Sequence, residues 1–130
     1  MALVTRSAQA SVDTSTTMFA VQITGLLAGE DLDVCAACFI HTDGLVYHAD
    51  GGAADAEARV RGFTPRACKA GQAITLFGTG TRMRYGSGLT PGADLFLAAT
   101  DGRLDTAATT GGTTRIAYAI NTTDIMVVGI

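Results

Sequence analysis

The densest group of side chains capable of chemistry is Cys35-Ala36-Ala37-Cys38, with His41, His48 and Cys68 nearby in sequence. Paired thiolates with imidazoles bind zinc, and the same Cys-x-x-Cys spacing serves redox dithiols. Strand geometry argues against both. Residues three apart on a strand face opposite ways, so Cys38 is expected to join Leu32, Val34 and Ile40 while Cys35 joins Asp31 and Asp33. Redox dithiols sit at a helix N-terminus that lowers the thiol pKa, and this pair falls between strands. No second Cys-x-x-Cys or His-x3-His pair completes a ligand set. The cysteines number three, an odd count, and the opening MALVTRSAQASVDTSTT lacks the apolar core of a secretory signal. Three reduced thiols, without metal or disulfide, are the expectation.

The remaining candidates carry even less chemistry. His41 and His48 flank an Asp-Gly tip, where exposed turn residues are expected rather than a general base with an oriented partner. Asp31, Asp33, Asp43 and Asp50 do not follow the spacing of a calcium loop, and no bidentate Glu closes the set. Gly78-Thr79-Gly80 lacks the Lys and the following helix of a phosphate loop, so it reads as a hairpin turn. The sequence therefore predicts no catalytic residue, no cofactor and no metal, and a protein that is not an enzyme.

Charge placement is more informative. From Glu30 to Glu57 there are seven acidic residues (Glu30, Asp31, Asp33, Asp43, Asp50, Asp55, Glu57) and no Lys or Arg. From Ala58 to Ala93 there are six basic residues (Arg59, Arg61, Arg66, Lys69, Arg82, Arg84) and no acid. The planar fork of Arg suits fixed pairing with carboxylates at interfaces. Two readings are open: complementary contact between neighbouring copies, or pairing of adjacent strands within one chain. On the first, Asp31, Asp33, Arg59, Arg61, Arg82 and Arg84 are candidate partner-binding residues.

The elements that must position these groups read as strands. Apolar residues alternate in Phe19-Ala20-Val21-Gln22-Ile23-Thr24, and short apolar runs follow at Leu32 to Ile40, Leu45 to His48, Arg59 to Phe63, Ala73 to Phe77, Thr81 to Tyr85, Asp94 to Ala99, Arg115 to Ile120 and Ile125 to Ile130. That makes about nine short strands, the number of a sandwich or barrel. Asp43-Gly44 and Asp101-Gly102 predict hairpin tips of type I′ geometry. Ala53 to Ala58 is the sole helical candidate, a turn or two at most. Leu26 to Val34 aligns with Leu89 to Leu97, and each copy runs on to a Thr-Asp-Gly tip, Thr42-Asp43-Gly44 and Thr100-Asp101-Gly102. The similarity is either an internal hairpin repeat or coincidence in a narrow alphabet. Residues 1–17, rich in Ser, Thr and Ala, read as an extended N-terminal arm, mobile in the free protein, and 18–130 as one β-barrel or sandwich domain. An extended arm can add a strand to a partner's sheet edge, which makes Thr5, Arg6, Ser11 and Val12 further candidate contacts.

Composition bounds the partners. The 130 residues suit a single domain, and 48 % hydrophobic with 16 % charged residues is too apolar for disorder. A net charge of −3 gives no positive field for nucleic acid. No run approaches the length of a membrane span.

The glycine turns that launch each strand, the paired Thr-Asp-Gly tips, Leu89-Thr90-Pro91-Gly92-Ala93-Asp94-Leu95-Phe96-Leu97 and the closing Arg115-Ile116-Ala117-Tyr118-Ala119-Ile120-Asn121-Thr122 resemble the small cement, or head decoration, proteins of tailed bacteriophages. The resemblance spans about Gly25 to Ile130 and rests on turn and strand patterns. It implies a β-barrel or sandwich, usually a homotrimer, made in the host cytoplasm, that sits on the outer surface of an icosahedral virion capsid and bridges subunits of the major capsid protein. It also implies an N-terminal arm and no catalytic residues. The alternative from another class is a receptor- or carbohydrate-binding β-barrel module of a phage tail fibre, for which aromatic residues at 6 % and no Trp offer few stacking candidates.

Overall fold

The computed structural model describes residues 3–12, 20–53 and 55–130. The arm residues 1–2 and 13–17, Met18, Phe19 at the start of the first expected strand, and Ala54 in the helical candidate lie outside the described residues.

The chain is all-β. In order, β1 is Arg6–Val12, β2 Gln22–Leu27, β3 Ala37–Ile40, β4 Val46–His48, β5 Gly62–Phe63, β6 Ala73–Phe77, β7 Arg82–Gly86, β8 Asp94–Leu97, β9 Leu104–Asp105, β10 Ala117–Ala119 and β11 Asp124–Val127. Among the described residues a single 3₁₀ turn, Ala56–Ala58, interrupts them, with the Asp55 carboxylate capping it at the Glu57 N–H. Six strands form one sheet in the order β1-β7-β11-β10-β8-β9, and five form a second in the order β2-β6-β5-β3-β4. All the strand pairs are antiparallel.

The two orders reveal a duplication. Adding five to each strand number of β2-β6-β5-β3-β4 yields β7-β11-β10-β8-β9, strand for strand. The strand order is thus repeated in two five-stranded units, one per sheet, but the matched sequence segments do not coincide strand for strand, since Asp94–Leu97 is β8 while the aligned Asp31–Val34 precedes the turn before β3. The matching glycines have diverged in role. Gly92 turns into β8 with φ 84°, whereas Gly29 lies beneath the Tyr47 ring, where an added Cβ would come within 2.3 Å of Cζ. Only β1 stands outside the duplication, and it pairs with β7 at Arg6↔Gly86, Ser11↔Arg84 and Val12↔Met83.

Alternation on the inner faces builds the main core. Met83, Tyr85, Leu95, Leu97, Ile125 and Val127 of the six-stranded sheet meet Phe39 and Phe63 of the other. The buried Tyr85 hydroxyl accepts the Leu104 N–H at 3.1 Å, which satisfies its polar end. A second cluster containing Leu32, Cys38, Val46, Cys68, Ile74 and Leu76 packs on the other side of the five-stranded sheet.

Three expectations need correction. The run Leu32 to Ile40 is not one strand: it turns at Val34-Cys35, and Cys35 is the one described non-glycine residue with positive φ, at 51°. Buried Thr64 clamps that turn, its hydroxyl donating to the Asp33 carbonyl and accepting the Ala36 N–H at 3.0 Å. Second, the Asp-Gly tips are not type I′, which requires positive φ at both central residues. Gly44 (φ 81°) and Gly102 (φ 71°) carry it and the aspartates do not. Third, the segment read as a mobile arm is, over residues 3–12, part of the domain. Val4 is buried in the main core, and its N–H donates to the Leu104 carbonyl at 2.9 Å. Main-chain pairing supplies what the small side chains of β1 lack.

Candidate interaction surfaces

Of the residues singled out in the sequence, several are engaged inside the chain. Arg6 Nη2 lies 3.2 Å from Asp33 Oδ2. Asp31 accepts the Ala70 N–H at 3.0 Å and lies 3.4 Å from Lys69 Nζ. The Ala70 amide, more than the Lys69 charge, holds its carboxyl below the ordinary carboxylate range. Arg82 grips Asp124 through Nε at 3.0 Å and Nη2 at 2.9 Å. Thr5 is exposed, and Ser11 and Val12 pair with β7. Arg59, Arg61 and Arg84 are exposed and have no carboxylate partner among the described residues. Among the described residues, Lys69 with Asp31 is the one ion pair that joins the acidic block to the basic block.

Three residues of the acidic block, Glu30, Asp50 and Glu57, share one cleft, whereas Asp31 and Asp33 lie beside Lys69. A cleft of about 330 Å³ is lined by Glu30, Phe39, His41, Tyr47, His48, Asp50, Glu57 and Asp101. The β3–β4 hairpin supplies its aromatic wall. Phe39 and His41 meet edge to face at 5.9 Å between centroids, as do His41 and Tyr47 at 5.6 Å, and Tyr47 tilts on Phe39 at 6.0 Å. The Tyr47 hydroxyl donates to Asp43 Oδ2 at 2.7 Å, and the Leu45 N–H donates to Oδ1 at 2.9 Å. These bonds lower the Asp43 carboxyl, and the Asp43 contact raises the Tyr47 phenol. His48 Nε2 accepts the Asp33 N–H at 3.1 Å, which leaves Nδ1 to face Glu30 Oε2 at 3.8 Å. Asp101 reaches the cleft from the tip between β8 and β9. Desolvation first, then the charges of Asp50 and Glu30, raise its carboxyl above the ordinary value.

Among the described residues, Glu30, Asp43, Asp50, Asp55, Glu57 and Asp101 have no Lys or Arg partner. The aromatic rings offer stacking faces, and the carboxylates accept hydrogen bonds or meet cations. Among the described residues, no Ser, Thr or Cys lines the cleft. Sequence reasoning found the acidic block but not Asp101, Phe39 or Tyr47 as its companions. The Thr-Asp-Gly repeat was the available signal for Asp101, because equivalent tips in a duplicated unit belong to two different sheets.

The cysteines are all free and buried. Cys35 packs in the main core, while Cys38 and Cys68 pack in the second cluster. Burial pushes the Cys35 thiol up to about 12 and raises Cys38 as well. Among the described residues, no group of three His, Cys, Asp or Glu is arranged to hold a metal ion.

No family model matches the chain, and no curated protein matches it either.

Proposed function

We propose that this protein is a non-catalytic structural protein that cements the head of a tailed bacteriophage, binding the outer surface of the icosahedral capsid and bridging major capsid subunits, with further copies of itself as neighbours. The observation that carries this reading is the polarised surface. Four carboxylates without a Lys or Arg partner among the described residues, Glu30, Asp50, Glu57 and Asp101, line one cleft, while Arg59, Arg61 and Arg84 stand exposed without a carboxylate partner among those residues. Such unmatched groups favour specific contact with complementary protein surfaces and add little to the fold itself. The resemblance to cement proteins supplies the kind of surface.

Co-sedimentation with undecorated phage heads tests this reading. Saturable binding that weakens with salt, together with particles that survive higher temperature when decorated, is the expected result. Absence of binding at low salt would sink it. The ring cluster of Phe39, His41 and Tyr47 beside carboxylates favours one second reading, a saccharide-binding module of a tail fibre. Copy number separates the two, since a cement protein decorates the whole head and a fibre module occurs a few times per particle. Tyr47→Ala would abolish glycan binding on the second reading and leave shell binding largely intact on the first.

A further inference from the structure

His48 stands where the two five-stranded units meet. It ends β4, and its ring lies over Gly102 of the tip between β8 and β9, where an added Cβ would come within 2.8 Å of Cδ2. Backbone bonds pin that tip in place, the Ala37 N–H donating to the Gly102 carbonyl at 3.0 Å and the Gly102 N–H to the Ala49 carbonyl at 2.8 Å. Only 11 % of the His48 side chain is exposed. Its Nε2 accepts the Asp33 N–H at 3.1 Å, and a ring nitrogen that accepts carries no proton. Nδ1 therefore holds the proton of the neutral ring, facing Glu30 Oε2 at 3.8 Å.

The groups around the ring pull the other way. Glu30, between β2 and β3, also accepts the His48 N–H at 2.9 Å, Asp50 follows β4, and Asp101 comes from the β8–β9 tip. Cys38 is the cross-strand neighbour on β3, and His41, Tyr47 and Glu57 complete the titratable lining of the cleft. Asp33 itself is paired with Arg6 of β1, and no Lys or Arg lines the cleft among the described residues. The carboxylates thus attract an imidazolium, while the Asp33 N–H admits only the neutral ring, because a protonated Nε2 would set donor against donor.

We propose that His48 is an acid-sensitive latch on the turn at Val34-Cys35: the neutral ring holds the turn through the Asp33 N–H, and protonation lets that N–H go while the ring is drawn toward Glu30 and Asp101. Imidazole is the side chain whose charge ordinarily changes between about pH 5 and 8, so mild acid is the trigger. The opening is local. The Thr64 hydroxyl still holds the Asp33 carbonyl, and the Cys35 N–H still donates to the Thr64 carbonyl at 2.9 Å.

Nitrogen-15 spectra of the full chain, recorded from about pH 8 to about pH 5, test the latch. At the alkaline end the His48 proton should sit on Nδ1, with Nε2 bare. As the ring gains its second proton, the Asp33 amide should shift with the same midpoint, and its hydrogen-exchange protection should fall about tenfold, on the scale of one hydrogen bond. His48→Gln puts an amide oxygen near the place of Nε2 and cannot be protonated in this range, so its Asp33 amide should stay protected and unmoved. His48→Asn is too short to reach and should leave that amide unprotected at every pH. The wild-type titrations decide the matter even where a variant folds poorly. A proton on Nε2 at the alkaline end, a ring that stays neutral throughout, or a ring that titrates without moving the Asp33 amide would each overturn the latch. So would an Asp33 amide that shifts equally in His48→Gln, since a carboxylate such as Asp101 would then be the titrating group.

Discussion

Arg6 on β1 and Asp33 ahead of β3 form an ion pair at 3.2 Å, with 17 % and 58 % of their side chains exposed, and so tie the first strand to the turn that carries Cys35. Together with buried Val4 and its bond to Leu104, this pair makes the N-terminal segment part of the fold. Deleting residues 1–12 is therefore expected to destabilise the domain by roughly 2–4 kcal/mol, from lost burial of Val4 and loss of main-chain partners. Urea unfolding of the truncated and full-length chains measures it. Equal midpoints would show that the strand contributes nothing to stability.

Gly86 on β7 is where β1 arrives. A Cβ there would lie 2.6 Å from the Thr5 carbonyl oxygen and 3.1 Å from Val4 Cγ1. The first contact is backbone and cannot swing aside. Gly86→Ala should push the start of β1 off its seat at a cost of about 1–3 kcal/mol, with faster proteolysis near Thr5. A variant as stable and as protease-resistant as the wild type would contradict this close approach.

The alternation of apolar residues made most of the strands legible, β6, β7 and β8 nearly to the residue, because one buried face per strand leaves a period of two. The turn at Cys35 was not legible, since nothing in a cysteine announces positive φ. Its cause is Thr64, a residue distant in sequence. The first strand escaped notice because Ser and Ala carry no apolar signal, while what holds it is backbone pairing and Arg6. The acidic character of the candidate cleft was legible. Its aromatic wall was not, because Phe39 and Tyr47 read equally well as core residues, and Phe39 does pack in the core.

Thiol chemistry provides a direct check on packing. Burial raises Cys35 to about 12 and lifts Cys38 too, so neither forms thiolate near neutrality. A disulfide-exchange reagent at pH 8 should leave both unreacted in the native protein and titrate all three cysteines in denaturant. Rapid native-state labelling of either Cys35 or Cys38 would mean that its surroundings open far more readily than this packing allows.

Stability against pH should have two opposing parts. Asp31 and Asp43 have lowered pKa values, so each contributes stability that is present above the ordinary aspartate value and is lost as pH falls through the lowered one. Asp101 has the opposite sign. Its pKa is raised, so the fold favours its protonated form, and that contribution is complete in acid and lost as pH rises through the raised value. At neutral pH the ionised Asp101 faces Asp50 and Glu30 at a cost that solvent screening keeps small. Asp101→Asn should thus raise stability at pH 7 by about 0.5 kcal/mol or less, and the gain should shrink toward pH 3. Asp43→Asn should lower it at pH 7, because its amide nitrogen cannot accept one of the two bonds from Leu45 and Tyr47. Denaturation midpoints of both variants between pH 3 and pH 7 measure this. If Asp101→Asn were destabilising at pH 7, the fold would not favour the protonated over the ionised carboxyl at this position.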